Sequence, residues 1–203
     1  MTQPIRLLVG TTNQGKVREI QQLLHGVPCE LVSLTAFPHL TEPDETGTTF
    51  EENARIKARA YARGSGLLTV AEDSGLVIDA LDGAPGVQSA RYLGPHATYP
   101  ERFDAILASL ARHPDRPRTA RFVCALAVAD GDRIVFETRG ALDGEIAEAP
   151  RGTHGFGYDP IFLVPEFGCT TGELEAEEKL AVAHRGQAFR MLAYWLGARA
   201  KAR

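Results

Sequence analysis

The first regular pattern along the chain is an apolar run closed by glycine, Ile5 to Gly10 (IRLLVG), which predicts a buried strand by length and composition. Within Gly15 to His25, Val17, Ile20, Leu23 and Leu24 recur at helical spacing, and Cys29 to Leu34 returns to strand-like composition. A strand–helix–strand opening favours an α/β fold. Phe37 to Gly47 is irregular, with Pro38 and Pro43 and the acids Glu42, Asp44 and Glu45. Thr49 to Arg63 predicts a helix, with Thr48 or Thr49 as cap and Glu51 or Glu52 as the reciprocal partner. Leu67 to Ala71 predicts a strand, Glu72-Asp73-Ser74-Gly75 a turn, Leu76 to Leu81 a second extended segment, and Asp82 to Gly86 another turn. Pro100 to Arg112 sets Phe103, Ile106, Leu107 and Leu110 on one helical face. Thr119 to Val128 and Arg133 to Arg139 predict a hairpin around Asp130-Gly131. A glycine-rich loop covers Arg151 to Asp159, and Glu173 to Lys179 and Gln187 to Ala200 read as helices. The pattern contains no repeat and no linker, so residues 1–203 are expected to form one domain, whole or as two fused lobes.

Composition narrows the function. Apolar residues make up 44% and charged residues 24%, the mix of an ordinary globular protein. No apolar run approaches the roughly 20 residues of a membrane span, and the N-terminus enters a strand without a signal peptide. A net charge of -4 without blocks of like charge argues against a nucleic-acid polymer as partner. It leaves room for a small anion held by local cations. Cys29, Cys124 and Cys169 are widely spaced and odd in number, which fits reduced thiols in a cytoplasmic protein better than a zinc site or a disulfide framework.

Gly10-Thr11-Thr12-Asn13-Gln14-Gly15-Lys16 joins the first strand to the first helix. Backbone N–H groups at a helix start, the positive end of its dipole and a lysine together suit a phosphate. The same residues also suit an ordinary strand–helix turn with a solvated lysine. The spacing matches a Walker A loop, but Val17 stands where that loop needs a hydroxyl for magnesium. Glu45, Glu72 and Asp73 are candidate magnesium ligands or water-activating groups, since magnesium takes one or two carboxylates plus substrate phosphates. Solvated acidic turns remain the bland alternative. Asn53 and Lys57 share a helix face, from which Lys57 can reach a phosphate.

Gly152 to Pro160 places glycines on both sides of Phe156, whose ring can stack on a base. Asp159 can accept from a base N–H. Lys179, His184 and Arg185 offer donors that would favour an oxo group over an amino group on a purine. A tight turn with a core phenylalanine and a salt-bridged surface His-Arg pair are the alternatives for these residues.

Together these segments resemble the inosine triphosphate pyrophosphatase family. The matching stretches are Thr11 to Lys16, Glu45-Thr46-Gly47, Phe50 to Ala54 with Lys57-Ala58, Glu72 to Leu76, Asp82 to Gly86, Ser89 to Tyr92, Gly155 to Pro160, Glu177 to Lys179 and His184 to Ala188. The resemblance implies an elongated two-lobed α/β fold around a central mixed sheet, with the active site in the cleft between the lobes and a homodimer as the unit. It implies magnesium-dependent hydrolysis of ITP, dITP and XTP to the monophosphate and pyrophosphate. Thr11, Thr12, Asn13, Lys16 and Lys57 would hold the triphosphate, and Ser74 would touch the nucleotide. Glu45 and Asp73 would bind metal, with Glu72 a further candidate, and Asp73 would be the general base. Phe156, Gly157 and Tyr158 would form the base pocket, and Asp159, Lys179, His184 and Arg185 would read the base edge. Thr12 replaces a common glycine, Glu72 a common aspartate and Ala183 a frequent serine. Three rivals remain at this point: a P-loop enzyme cutting at the γ-phosphate, a nucleotide sensor without turnover, and a pyrophosphatase acting on modified pyrimidines.

Overall fold

A computed structural model describes residues 4–201. In chain order the elements are β1 (Ile5–Val9), α1 (Gln14–Leu23), β2 (Cys29–Ser33), α2 (Phe50–Ser65), β3 (Leu68–Ile78), α3 (Tyr99–Ala111), β4 (Thr119–Asp130), β5 (Arg133–Ile146), β6 (Phe162–Val164), β7 (Cys169–Thr170), α4 (Ala176–Val182) and α5 (His184–Lys201). The strands form a mixed seven-stranded sheet in the order β2-β1-β3-β4-β5-β6-β7. β1 runs parallel to β2 and β3, while β6 is antiparallel to β5 and β7. The expected α/β class is therefore the observed one.

Two departures from the sequence pattern matter. Glu72 to Gly75 is not a turn: β3 runs unbroken through it for 11 residues. Polar residues inside a strand imitate a turn in one dimension, and here they persist because each charge meets a partner on its own face of the sheet. α5 begins at His184 rather than Gln187, so the His-Arg pair lies in a helical first turn. The short strands β6 and β7 fall where the sequence pattern assigns no element.

Local chemistry explains the helix starts. Thr49 accepts from the Glu52 N–H while Glu52 reaches back to the Thr49 N–H, which settles the alternatives for the α2 cap. Thr98 and Glu101 repeat the arrangement at α3.

The chain divides into two compact units. One comprises Met1–Asp73, Cys124–Gly140 and Arg185–Arg203, and the other comprises Ser74–Val123 and Ala141–His184. The passages between them fall inside β3, β4 and β5 and between His184 and Arg185 at the start of α5. In the first unit, Leu7, Val9, Ile20, Leu126, Phe189 and Leu192 build the main core, and Leu8, Val32 and Tyr61 pack as a smaller cluster. In the second, Leu76, Ile78, Phe103, Ile106, Phe122 and Phe162 form a separate core. Phe189 is fully buried. Phe189→Ala is expected to lower the unfolding free energy by about 3–5 kcal/mol in urea denaturation. A loss below about 1 kcal/mol would mean that α5 is not anchored through this ring.

Candidate active site

The phosphate turn is built at the start of α1. Asn13 caps the helix, its Oδ1 accepting the Lys16 N–H at 3.1 Å, and Thr11 Oγ1 accepts the Asn13 N–H at 3.2 Å. The first turn of α1 carries no acid, so its positive end keeps its attraction for an anion. Thr12 and Asn13 are exposed there. Lys16 lies beneath the turn with Nζ 2.9 Å from Glu72 Oε1.

Successive residues of a strand point to opposite faces, and β3 uses this to separate its two acids. Glu72 faces α1 and α5. Its carboxylate meets Lys16 and the Arg185 guanidinium, whose Nη2 is 3.2 Å away. Arg185 also binds Glu19 on α1 at 2.6 Å. Burial alone would raise the Glu72 pKa, but Arg185 and Lys16 outweigh it and hold the carboxyl well below the usual range. The Cys124 thiol donates to Glu72 Oε2 at 3.4 Å and is itself pushed up by burial and by that carboxylate.

Asp73 faces α2. Asn53 Nδ2 donates to its Oδ2 at 3.0 Å, and Lys57 Nζ lies 3.4 Å from its Oδ1. The same ammonium also donates to Glu45. Burial disfavours charge on Lys57, yet Asp73 and Glu45 hold its pKa above the ordinary value. Burial raises Asp73, and Glu45 adds to the rise despite the opposing pull of Lys57 and Asn53, so the carboxyl sits above its usual range.

A divalent cation fits this second face. Among the described residues no three His, Cys, Asp or Glu side chains form a ready-made metal cage. Glu45 and Asp73, however, converge as hard oxygen donors on a shared cationic centre, the Lys57 ammonium. Two carboxylates completed by phosphate oxygens are what magnesium ordinarily uses. Glu72 does not belong to that set, because its side chain leaves the opposite face of β3 and is taken by two cations.

In the second unit, the loop carrying Phe156 is locked from below. Asp159 is 2% exposed, and its Oδ2 accepts the Phe156 N–H at 2.7 Å and Lys179 Nζ at 2.6 Å. Its Oδ1 accepts the Thr171 hydroxyl at 2.9 Å. Asp159 thus shapes the loop instead of presenting a free edge to a base. Gly155, at φ +75°, passes so close to the Asp159 carboxylate that a Cβ would collide with it. Lys179 Nζ also lies 4.9 Å from the centre of the half-buried Phe156 ring.

Tyr158 is a core side chain. Its hydroxyl donates to the Ser89 carbonyl at 2.8 Å and its ring meets Tyr99 edge-on at 5.3 Å. Only the backbone of Tyr158 and Gly157 is left to contact a ligand. His184 is buried and stacks on Phe122 at 5.0 Å. Ser74, half-buried, opens the second unit's part of β3.

The structure therefore gathers Lys16, Glu45, Lys57 and Asp73 in one unit and Phe156, Asp159, Lys179 and His184 in the other. The neighbours His184 and Arg185 part company, since Arg185 belongs to the phosphate side. Glu19 and Asn53 were not assigned roles from sequence. Glu19 stands one helical turn after Lys16 and Asn53 one turn before Lys57, which is the signal that could have found them.

A helix start without acids beside buried carboxylates, on an α/β scaffold with a braced aromatic loop, suits a nucleotide-handling protein of the phosphoanhydride hydrolase kind. The chain belongs to the Ham1 family, whose model matches residues 7–195. It is 50% identical over 194 residues to the dITP/XTP pyrophosphatase of Geobacter sulfurreducens, covering 95% of this chain and 96% of that one. It is 48% identical over 191 residues to the dITP/XTP pyrophosphatase of Streptomyces coelicolor, covering 92% and 94%. A HAM1 protein of Coxiella burnetii has a similar solved structure, with TM-score 0.89 and 42% identity over 95% of this chain and 98% of that chain.

The Glu72 ion pairs are testable by stability. Arg185→Met leaves the buried Glu72 and the partly buried Glu19 carboxylates short of a cation and is expected to cost about 3–5 kcal/mol in urea unfolding. Adding Glu72→Gln should recover part of that loss. Strictly additive losses in the double variant would show that the two side chains are not coupled.

Proposed function

We propose that the protein hydrolyses ITP, dITP and XTP to the nucleoside monophosphate and pyrophosphate, clearing deaminated purines from the nucleotide pool. The observation that carries this reading is the buried Asp73 carboxylate, oriented by Asn53 and Lys57 beside Glu45. The names of the similar proteins, which span nearly the whole chain, support the same substrates.

In this reading Asp73 orients a water and takes its proton. The water oxygen bonds to the α-phosphorus, the bond from that phosphorus to the bridging oxygen breaks, and pyrophosphate leaves with the electron pair. The N–H groups at the start of α1, the Thr11 and Thr12 hydroxyls and Lys16 hold the phosphate tail. Lys57 has three donors, two of them directed at Glu45 and Asp73, and the remaining one can serve a phosphate oxygen. Glu45 and Asp73 would hold magnesium, which when bound supplies positive charge against the phosphate oxygens.

Phe156 stacks on the purine, and Lys179 and His184 direct donors at the oxo group. An amino group there would set donor against donor, which is costly in a desolvated site. The catalytic assembly we infer is a homodimer acting in the cytoplasm. Among the described residues no helix is long and apolar enough to cross a membrane.

A panel of nucleotides assayed for pyrophosphate tests the proposal. ITP, dITP and XTP should be cleaved with kcat/KM about 10²-fold or more above ATP and GTP. Release of diphosphate and phosphate instead would restore the γ-phosphate rival. Chelation should abolish turnover and added magnesium restore it. Asp73→Asn should lower kcat by about 10²–10⁴-fold with nucleotide binding retained, and near-normal turnover in that variant would remove Asp73 as the base.

A further inference from the structure

Asn53 is 1% exposed, on the face of α2 turned to β3. Its side chain makes two different bonds. Oδ1 accepts the Gly47 N–H at 2.8 Å, in the loop that carries Glu45, and Nδ2 donates to Asp73 Oδ2 at 3.0 Å. A backbone N–H needs an acceptor and a carboxylate needs a donor, so only an amide in this one orientation satisfies both. A carboxylate in its place would satisfy the loop and oppose Asp73. An apolar side chain would satisfy neither.

The loop is shaped to receive this amide. A Cβ on Gly47 would stand 2.7 Å from Asn53 Oδ1 and 2.6 Å from the Glu52 Cβ, closer than real contacts allow. Just beyond the helix start, Glu52 accepts from the Thr48 N–H at 2.7 Å and the Thr49 N–H at 3.2 Å. The segment from Glu45 into α2 is thus tied down at successive residues, and Asn53 is the tie that reaches across to β3.

We propose that Asn53 is a positioning residue: its amide clamps the Glu45 loop to Asp73, fixing the two carboxylates in the mutual geometry that lets both meet the Lys57 ammonium. Asn53 itself touches no substrate. The inference rests on the reading of Asp73 as the base, which sets what the geometry is for. Displacements of about 1 Å in such an arrangement can cost about 10²-fold in rate, so a clamp of this kind bears on kcat more than on binding.

Asn53→Asp and Asn53→Ala separate the two bonds. Three quantities are read on the full chain: kcat for ITP, the Kd of a non-hydrolysable ITP analogue, and hydrogen exchange at the Gly47 amide, with the Leu126 amide in the β4 core as reference for global opening. Asn53→Asp should keep Gly47 protected, lower kcat about tenfold or more and leave the analogue Kd within about threefold. Asn53→Ala should speed Gly47 exchange about tenfold or more with Leu126 unchanged, and lower kcat as well. If Asn53→Ala loosens Leu126 too, the kcat and Kd of Asn53→Asp decide. Parent-like kcat in Asn53→Asp, or unchanged Gly47 protection in a folded Asn53→Ala, overturns the clamp. Retained turnover in Asp73→Asn would instead strike at the base assignment, while Gly47 exchange still reports on the clamp by itself.

Discussion

The local structure depends on how β3 buries two adjacent carboxylates. A buried carboxylate without partners is too costly to keep charged. Glu72 and Asp73 are tolerated in mid-strand because the pleat sends them to opposite faces, where each meets its own cations. On one face, Lys16 and Arg185 surround Glu72 and hold its carboxyl well below the usual range. On the other, Asp73 shares Lys57 with Glu45 and keeps a raised pKa. The same residue class in consecutive positions therefore acquires two characters. Glu72 is a fixed anchor for Lys16 and for α5, and Asp73 is a carboxylate that shares one ammonium with Glu45.

A comparable division appears in the second unit, where Asp159 does for the aromatic loop what Glu72 does for the phosphate turn. Its two oxygens take the Phe156 N–H, the Thr171 hydroxyl and the Lys179 ammonium. Lys179 is thereby held over the Phe156 ring rather than left to wander on α4. In the proposed function this pre-organises a stacking surface and the cation beside it, which reduces the ordering of side chains that binding requires. Discrimination at a purine edge needs this rigidity, because a donor that can swing aside no longer penalises an amino group.

Much of this was legible in the chain. The opening strand–helix–strand unit, the α2 capping box and the hairpin of β4 and β5 follow from periodicity and turn chemistry. The turn from Gly10 to Asn13 could be placed because a strand and a helix flank it. What could not be read was the direction of side chains in β3. Glu72-Asp73-Ser74-Gly75 has turn composition, and only the partners on both faces, drawn from α1, α2 and α5, make it a strand. The burial of Tyr158 and Arg185 is hidden for a related reason. A phenol can bury its ring once the Ser89 carbonyl accepts a hydrogen bond from its hydroxyl, and a guanidinium can be buried between Glu19 and Glu72. Partners that close the account of a buried polar group are distant in sequence, so local pattern is silent about them.

The same logic explains why the Walker-like spacing misleads. A glycine, four residues, a glycine and a lysine put a cation in the first turn of a helix after a strand, and the geometry of that turn is common to many phosphate sites. What differs is the support around it. Val17 offers no hydroxyl for a metal, so a divalent ion near this turn would need its ligands from elsewhere, and Glu45 and Asp73 converge on the α2 face of β3. Lys16 is meanwhile steadied by Glu72 on the opposite face. In the proposed function, metal ligands and phosphate lysine are thus served from two sides of one strand, whereas in a P-loop the metal hydroxyl follows the lysine directly. Which phosphorus is attacked is then a matter of where those acids sit along the phosphate tail, and the glycine-lysine spacing alone carries no information about that.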